Sequence, residues 1–306
     1  MFNSKLKYVF FVISFLIISY AALSIISSIA TFTVSSEESY LHPGDVGLMF
    51  EEIEINSESR TISSWWIPGS PESKDGKTIL VLHGLRSQKS DELTLEFIAE
   101  FHDLGFSVIA IDFRNHGKSS KGDFTFGLDE VDDVYLTLNY YREMKEVRSV
   151  GIWGFSYGAA TAVFTGLKHG SIGSGTEIVG IFSDTPYFSL TDMISTQIDR
   201  RTPLNLFMAD LLKPGILLFT HLFYNFDFNS IENEYISHPE IEIPTKIIGC
   251  VGDLTVPLGQ TISVDRSLGM NSSLVVFDKC NFHGGAFSSD PARYIQEFKK
   301  HFMDSF

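Results

Sequence analysis

Cysteine is almost absent from this 306-residue chain, which holds only Cys250 and Cys280. Two are too few for a disulfide framework or a cysteine zinc site. Both fall on segments that read as neighbouring parallel strands, so the expectation is a pair of buried thiols rather than a bridge. Basic residues are also scarce: 23 Lys and Arg stand against 38 Asp and Glu, for a formal net charge of -15. Phosphate backbones are held by clustered Lys and Arg, so this balance argues against a nucleic-acid partner. No H-E-x-x-H or comparable spacing of ligands occurs, and nothing calls for a metal or a cofactor. "HGKSS" at 116–120 fails as a phosphate loop because Asp112 occupies the required glycine position. The glycines of "GSIGSGTEIVG" do not fit G-x-G-x-x-G and read as a surface loop. No internal repeat is evident.

One stretch lacks charge altogether. Between Lys7 and Glu37 no residue is ionised, and "YVFFVISFLIISYAALSIISSIATFTV" exceeds the roughly 20 apolar residues that span a bilayer. Residues 1–34 are therefore expected to form a single uncleaved membrane anchor. The competing reading is a signal peptide cut near Ser28-Ile-Ala30, which would release a secreted product, but the apolar run is longer than the usual core of about 7–15 residues. Lys5 and Lys7 precede the run, whereas Glu37, Glu38, Asp45, Glu51 and Glu52 follow it before the first base, Arg60. That asymmetry predicts an N-terminus inside and a body facing outward at the cell membrane.

After a polar linker at 35–47, the body (48–306) alternates strands and helices, and its 44% hydrophobic content suffices for a large core. "LMFEEIEI" and "RTISSWWIP" read as an antiparallel hairpin, with Trp65 and Trp66 on opposite faces. "KTILVLHG", "SVIAIDF", "SVGIWGF", "EIVGIFSD", "TKIIGCVGD" and "SLVVFDKC" read as mostly continuous apolar strands, with helical patterns between them. Such runs imply a largely parallel sheet of about eight strands covered by helices on both faces. The acidic residues of "GLDEVDDVYLTLNYYREM" read as a solvated face. Residues 188–244 form the least regular part. "PLNLFMADLLKPGILLFTHLFYNFDF" is rich in Leu and Phe, but Lys213, Pro214 and Gly215 are expected to break it, leaving it too interrupted for a second span. It reads as a small helical cap or lid inserted between two strands.

"GIWGFSYGAATAV" places Ser156 between Gly154 and Gly158, after a strand and before a helix. A sharp strand-to-helix turn strains the central residue and leaves no room for side chains two positions away, which is the context of a G-x-S-x-G elbow. A serine hydroxyl is a weak nucleophile until a base takes its proton and an acid orients that base. Of the nine histidines only His283 and His301 follow the last strand. His301 sits beside lysines in the terminal helix and reads as a surface residue, so His283, in "CNFHGGAF", is the candidate base. Asp184 and Asp253 both stand at strand ends; Asp253 is preferred because one helix and one strand separate it from His283. The backbone N–H groups of Tyr157 and of Leu85, in the loop after "ILVLHG", are the candidate oxyanion donors, while His83 reads as a structural residue of that loop.

The set "LHGL", "DFRNHGKS", "GFSYG", "GDLTVP" and a late "FHG" resembles the α/β-hydrolase superfamily from about residue 48 onward. "SDTPYFSLTDMI" with a modest cap resembles its prolyl-oligopeptidase-like and cinnamoyl-esterase-like branches. The resemblance implies nucleophile, acid and base at Ser156, Asp253 and His283. Asn115 departs from the pattern, standing where relatives commonly have glycine. Together these readings predict a membrane-anchored serine hydrolase acting on an ester or related acyl substrate through an acyl-enzyme, without a cofactor. A peptidase acting on short peptides, and a non-catalytic surface binding or sensor protein on the same fold, are the alternatives.

Overall fold

The computed structural model describes residues 4–306 apart from 35, 37, 38, 70–76, 173, 174, 203, 204, 239, 304 and 305. Glu37 and Glu38 of the linker, Gly173 and Ser174 of the glycine loop, and Pro203 and Leu204 of the cap lie outside the described residues. The chain divides into two compact units, Met1–Thr33 with Ser189–Glu232 and Val34–Phe188 with Asn233–Phe306.

The larger unit holds an eight-stranded sheet among the described residues. Its strands are β1 (Glu51–Asn56), β2 (Thr61–Ile67), β3 (Thr78–Leu82), β4 (Ser107–Ile111), β5 (Ser149–Phe155), β6 (Glu177–Asp184), β7 (Thr245–Cys250) and β8 (Ser272–Phe277). They lie in the order β1-β2-β4-β3-β5-β6-β7-β8. The β1–β2 and β2–β4 pairs are antiparallel and the remaining pairs parallel. β3 is buried along its whole length, as a strand covered on both faces must be. The edge hairpin shows the alternation expected of its tryptophans, with Trp65 buried and Trp66 half-buried. Helix α2 (Glu92–Asp103) turns Phe97, Ile98 and Phe101 inward, and α10 (Pro291–Met303) does the same with Tyr294, Phe298 and Phe302 at successive four-residue steps. Their rings meet Trp153 and Phe182 in an aromatic core in which Phe101 stacks on Phe298 at 4.2 Å.

Three expectations are corrected in this unit. Strand β8 stops at Phe277, so Cys280 lies beyond it in a turn that folds back to the end of β7, and Cys250 and Cys280 form a disulfide. A separation of 5.3 Å between their Cα atoms allows the bridge. The acidic start of α3 (Val131–Met144) is only in part a solvated face: Asp129 and Asp132 are exposed, but Asp133 is wholly buried, accepts from Nε and Nη2 of the Arg114 guanidinium and also binds Arg60. Glu130, equally buried, accepts from the N–H groups of Thr125 and Gly127. His301 is half-buried rather than a free surface residue: its ring packs against Phe182 and Phe302, and burial lowers its pKa to about 4. A short helix, α9 (Gly285–Ser289), follows His283.

The smaller unit combines α1 (Ser4–Phe32) with α5 (Leu190–Arg201), α6 (Leu206–Tyr224) and the start of α7 (Asn229–Ser237). Helix α1 is long and apolar enough to cross a membrane. Residues 213–215 do not break the cap segment: α6 is one helix of 19 residues and passes the same test of length and composition. Asn205 caps it by accepting from the N–H of Met208, and next to Pro214 the N–H of Gly215 donates to the Tyr20 hydroxyl at 3.0 Å. A neighbouring side chain thus satisfies backbone at the proline, the usual condition for one inside a helix. The Ser28 and Thr220 hydroxyls share a buried hydrogen bond at 2.7 Å, and Phe32 stacks on Tyr224.

Candidate active site

Helix α4 (Tyr157–Ile172) begins immediately after β5, and the single residue between them is Ser156, with φ 54°. A serine in the left-handed region is strained, and the surrounding packing holds it there. Its N–H donates to the Asp184 carbonyl at 2.8 Å, continuing the β5–β6 ladder one residue beyond β5. A Cβ on Gly154 would lie 2.3 Å from the Gly158 carbonyl oxygen, and one on Gly158 would lie 2.2 Å from the Leu82 carbonyl oxygen. Both clashes are with backbone, so neither position admits a larger residue without shifting the turn or strand β3.

The structure brings Ser156, His283 and Asp253 into one hydrogen-bonded line. His283 Nε2 lies 2.8 Å from Ser156 Oγ, and His283 Nδ1 lies 2.6 Å from Asp253 Oδ2. Asp253 is buried, and its other oxygen accepts from the N–H groups of Thr255 and Val256 at 2.7 and 2.9 Å. Those two bonds fix the carboxylate plane and leave one oxygen for the imidazole. The half-buried His283 ring lies 4.8 Å from the Phe155 ring, and Gly284, with φ 83°, turns the chain directly after it. Asp184, the other candidate acid, makes no hydrogen bond to His283. It is buried at the end of β6, where burial pushes its carboxyl up to about 7 although the Tyr294 hydroxyl donates to Oδ2 at 2.8 Å.

The Leu85 loop lies beside the elbow. A Cβ on Gly84 would touch the Phe155 ring at 3.0 Å, and Gly158 packs against the carbonyls of Leu82 and His83. Among the described residues, neither the Leu85 nor the Tyr157 N–H has a protein acceptor. His83 holds the loop as a neutral ring, donating from Nδ1 to the Gly84 carbonyl and accepting the Phe113 N–H at Nε2. Burial, with help from His116, lowers its pKa to about 3.

Sequence reasoning missed the supports of this loop. His116 Nε2 accepts the N–H of Arg86, a residue at φ 62°, while its Nδ1 donates to the Arg114 carbonyl. Lys89, wholly buried, pairs with Asp112, donates to the Ser63 hydroxyl and lies over the Trp65 ring. "DFRNHGKS" marked Asp112, Arg114 and His116 as part of a motif without saying what they support, and Lys89 lies outside it. Asn115 sits at φ 68°, a conformation glycine adopts freely and asparagine tolerates, and its side chain exchanges two hydrogen bonds with Gly122.

Comparison with known proteins agrees with this architecture. The alpha/beta hydrolase fold family matches residues 77–210. An uncharacterized protein of Bacillus subtilis, YqkD, is 28% identical over 122 residues, which are 40% of this chain and 38% of that protein. Esterase Pf2001 of Pyrococcus furiosus superposes with a TM-score of 0.67 at 24% identity, covering 87% of this chain and 97% of its own. Est1E of Butyrivibrio proteoclasticus, solved with ferulic acid bound, gives 0.56 at 13% identity over 81% of this chain and 98% of its own. The chain has the α/β-hydrolase fold.

Proposed function

We propose, from an α/β-hydrolase fold that carries serine, histidine and aspartate in one hydrogen-bonded line, that this chain is a serine hydrolase of esters or related acyl compounds. The observation that carries the reading is the relay itself: Ser156 Oγ to His283 Nε2 at 2.8 Å and His283 Nδ1 to Asp253 at 2.6 Å, with Ser156 on a strained elbow. Ser156 Oγ attacks the substrate carbonyl as His283 takes its proton, and Asp253 holds the imidazole with Nδ1–H toward itself and Nε2 free to accept. The Leu85 and Tyr157 N–H groups receive the oxyanion; one such donor is worth about 3–4 kcal/mol. His283 then protonates the leaving alcohol. Water, deprotonated by the same ring, releases the acid from the acyl-enzyme.

The esterases that share the fold support an acyl or aryl ester as the substrate class, as does the apolar composition of the cap, residues 188–244. In this reading α1 anchors the catalytic body (48–306) through the 35–47 linker, with Lys5 and Lys7 inside and the body outside. The Cys250–Cys280 disulfide supports that side, because such bonds persist in oxidising compartments. The test is to treat the full chain in detergent with a fluorophosphonate and locate the adduct by mass spectrometry. Modification at Ser156, absent from Ser156→Ala, is expected; a folded protein that takes no label refutes the activated serine.

A further inference from the structure

The acid and the base of the proposed relay stand on different loops, and each loop carries a cysteine three residues upstream. Cys250 ends β7 and precedes Asp253; Cys280 follows β8 and precedes His283. The last pair in the β7–β8 register is Cys250 with Phe277, so the ladder stops short of both functional side chains. Beyond it Asp253 is held within its own loop by the Thr255 and Val256 N–H groups, while His283 rests on the Phe155 ring. Those contacts orient each side chain but do not tie the two loops together. The Val251 N–H to the Phe277 carbonyl (3.1 Å), the Gly252 N–H to the Cys280 carbonyl (2.9 Å) and the disulfide do. The approach is tight, since a Cβ on Gly252 would lie 2.6 Å from Asn281 Cα. Only the disulfide cannot exchange its partner for water.

We propose that the Cys250–Cys280 disulfide is a positioning device for the hydrolase reaction. It holds Asp253 to His283, and through it His283 to Ser156, so that full turnover belongs to the oxidised enzyme. The inference rests on the serine-hydrolase reading, and the two fail separately: an oxidised enzyme without a fluorophosphonate adduct at Ser156 sinks that reading, whereas the disulfide is judged on an enzyme that does label.

On such an enzyme, full-length in detergent, kcat and KM for p-nitrophenyl butyrate are measured as isolated, after dithiothreitol and after re-oxidation. Reduction moves two electrons and two protons from dithiothreitol, which closes to its cyclic disulfide, onto Cys250 and Cys280 as thiols. A relay loosened by about 1 Å is expected to lose about 100-fold in kcat while KM stays within about twofold, because substrate binding does not use the relay. Re-oxidation restores kcat. Cys280→Ser shows the same low kcat with or without dithiothreitol, and near-UV circular dichroism at the assay temperature stays native for the reduced enzyme and the variant. The proposal is overturned by a reduced enzyme or a variant that keeps its kcat, by a loss that appears in KM, by a loss that re-oxidation does not reverse, or by a loss that accompanies unfolding.

Discussion

Replacing Asp253 by asparagine tests the relay more sharply than deleting the nucleophile, because the side chain keeps its shape. Asp253 Oδ1 accepts two backbone N–H bonds from Thr255 and Val256, and an amide oxygen satisfies them equally well. The amide nitrogen then occupies the position of Oδ2, 2.6 Å from His283 Nδ1, and brings a donor where the ring had donated. The imidazole answers by moving its proton to Nε2, toward Ser156 Oγ, and can no longer accept the serine proton. A wrong tautomer of this kind costs about 10⁴-fold in kcat, close to 5 kcal/mol of barrier. Asp184→Asn is the matched control. Burial raises the Asp184 carboxyl to about 7, so near pH 6 it is largely a neutral acid, which an amide imitates, and the amide oxygen still accepts from the Tyr294 hydroxyl. Its kcat is expected to stay within about threefold of wild type, since no hydrogen bond to His283 is lost. Steady-state hydrolysis of a p-nitrophenyl ester at pH 6 ranks the two variants. Asp184→Asn as the more damaging change, or equal losses, would refute the assignment of the acid.

Gly158→Ala drives a methyl to 2.2 Å from the Leu82 carbonyl oxygen and 2.6 Å from that of His83; a destabilisation of about 3 kcal/mol is expected in chemical unfolding, and a variant as stable as wild type contradicts the packing described. Asp133→Ala leaves the Arg114 and Arg60 guanidiniums facing each other with no buried carboxylate between them, at a cost of about 3–5 kcal/mol in the same measurement. Stability also depends on pH through His301, whose folded pKa of about 4 lies below that of a free imidazole. Between pH 4 and 6.5 the unfolded chain binds the extra proton, so stability rises with pH across that window and is lost as pH falls. His301→Gln should remove about one proton, or about 1.4 kcal/mol per pH unit, from the slope near pH 5, and an unchanged slope refutes a half-buried neutral ring. External protease on intact cells should digest the body of the chain, whereas full protection contradicts the outward orientation.

Local patterns carried much of this protein in its sequence. Continuous apolar runs such as "TILVL" and "SVIAI" state a strand covered on both faces without reference to any other residue. The spacing of Gly154 and Gly158 around Ser156 states a tight turn in the same way; for Gly154 the colliding backbone is that of Gly158, four residues on, whereas for Gly158 it is that of Leu82 and His83 at the end of β3, which only the fold brings near. The uncharged N-terminal run is equally local. Ser156, His283 and Asp253 could be nominated because each stands just after an apolar run, and the runs are local even though pairing sets their last residues.

What depended on distant partners was not legible. The disulfide was not legible because it turns on β8 ending three residues before Cys280, and strand boundaries are set by pairing rather than by propensity. Asp133 read as surface because nothing near it in sequence announces the Arg114 and Arg60 side chains as its partners, whereas Glu130 is held by its near neighbours Thr125 and Gly127 in a turn that no local pattern marked. Pro214 read as a helix breaker because its compensation, the Tyr20 hydroxyl, comes from a helix nearly two hundred residues earlier. Sequence by itself determined the α/β class, the elbow and the candidate residues, since each follows from neighbours along the chain. Only the tertiary structure decided that His283 meets Asp253 rather than Asp184, and that a disulfide joins their loops, because charge, burial and bridging are properties of what surrounds an atom in space.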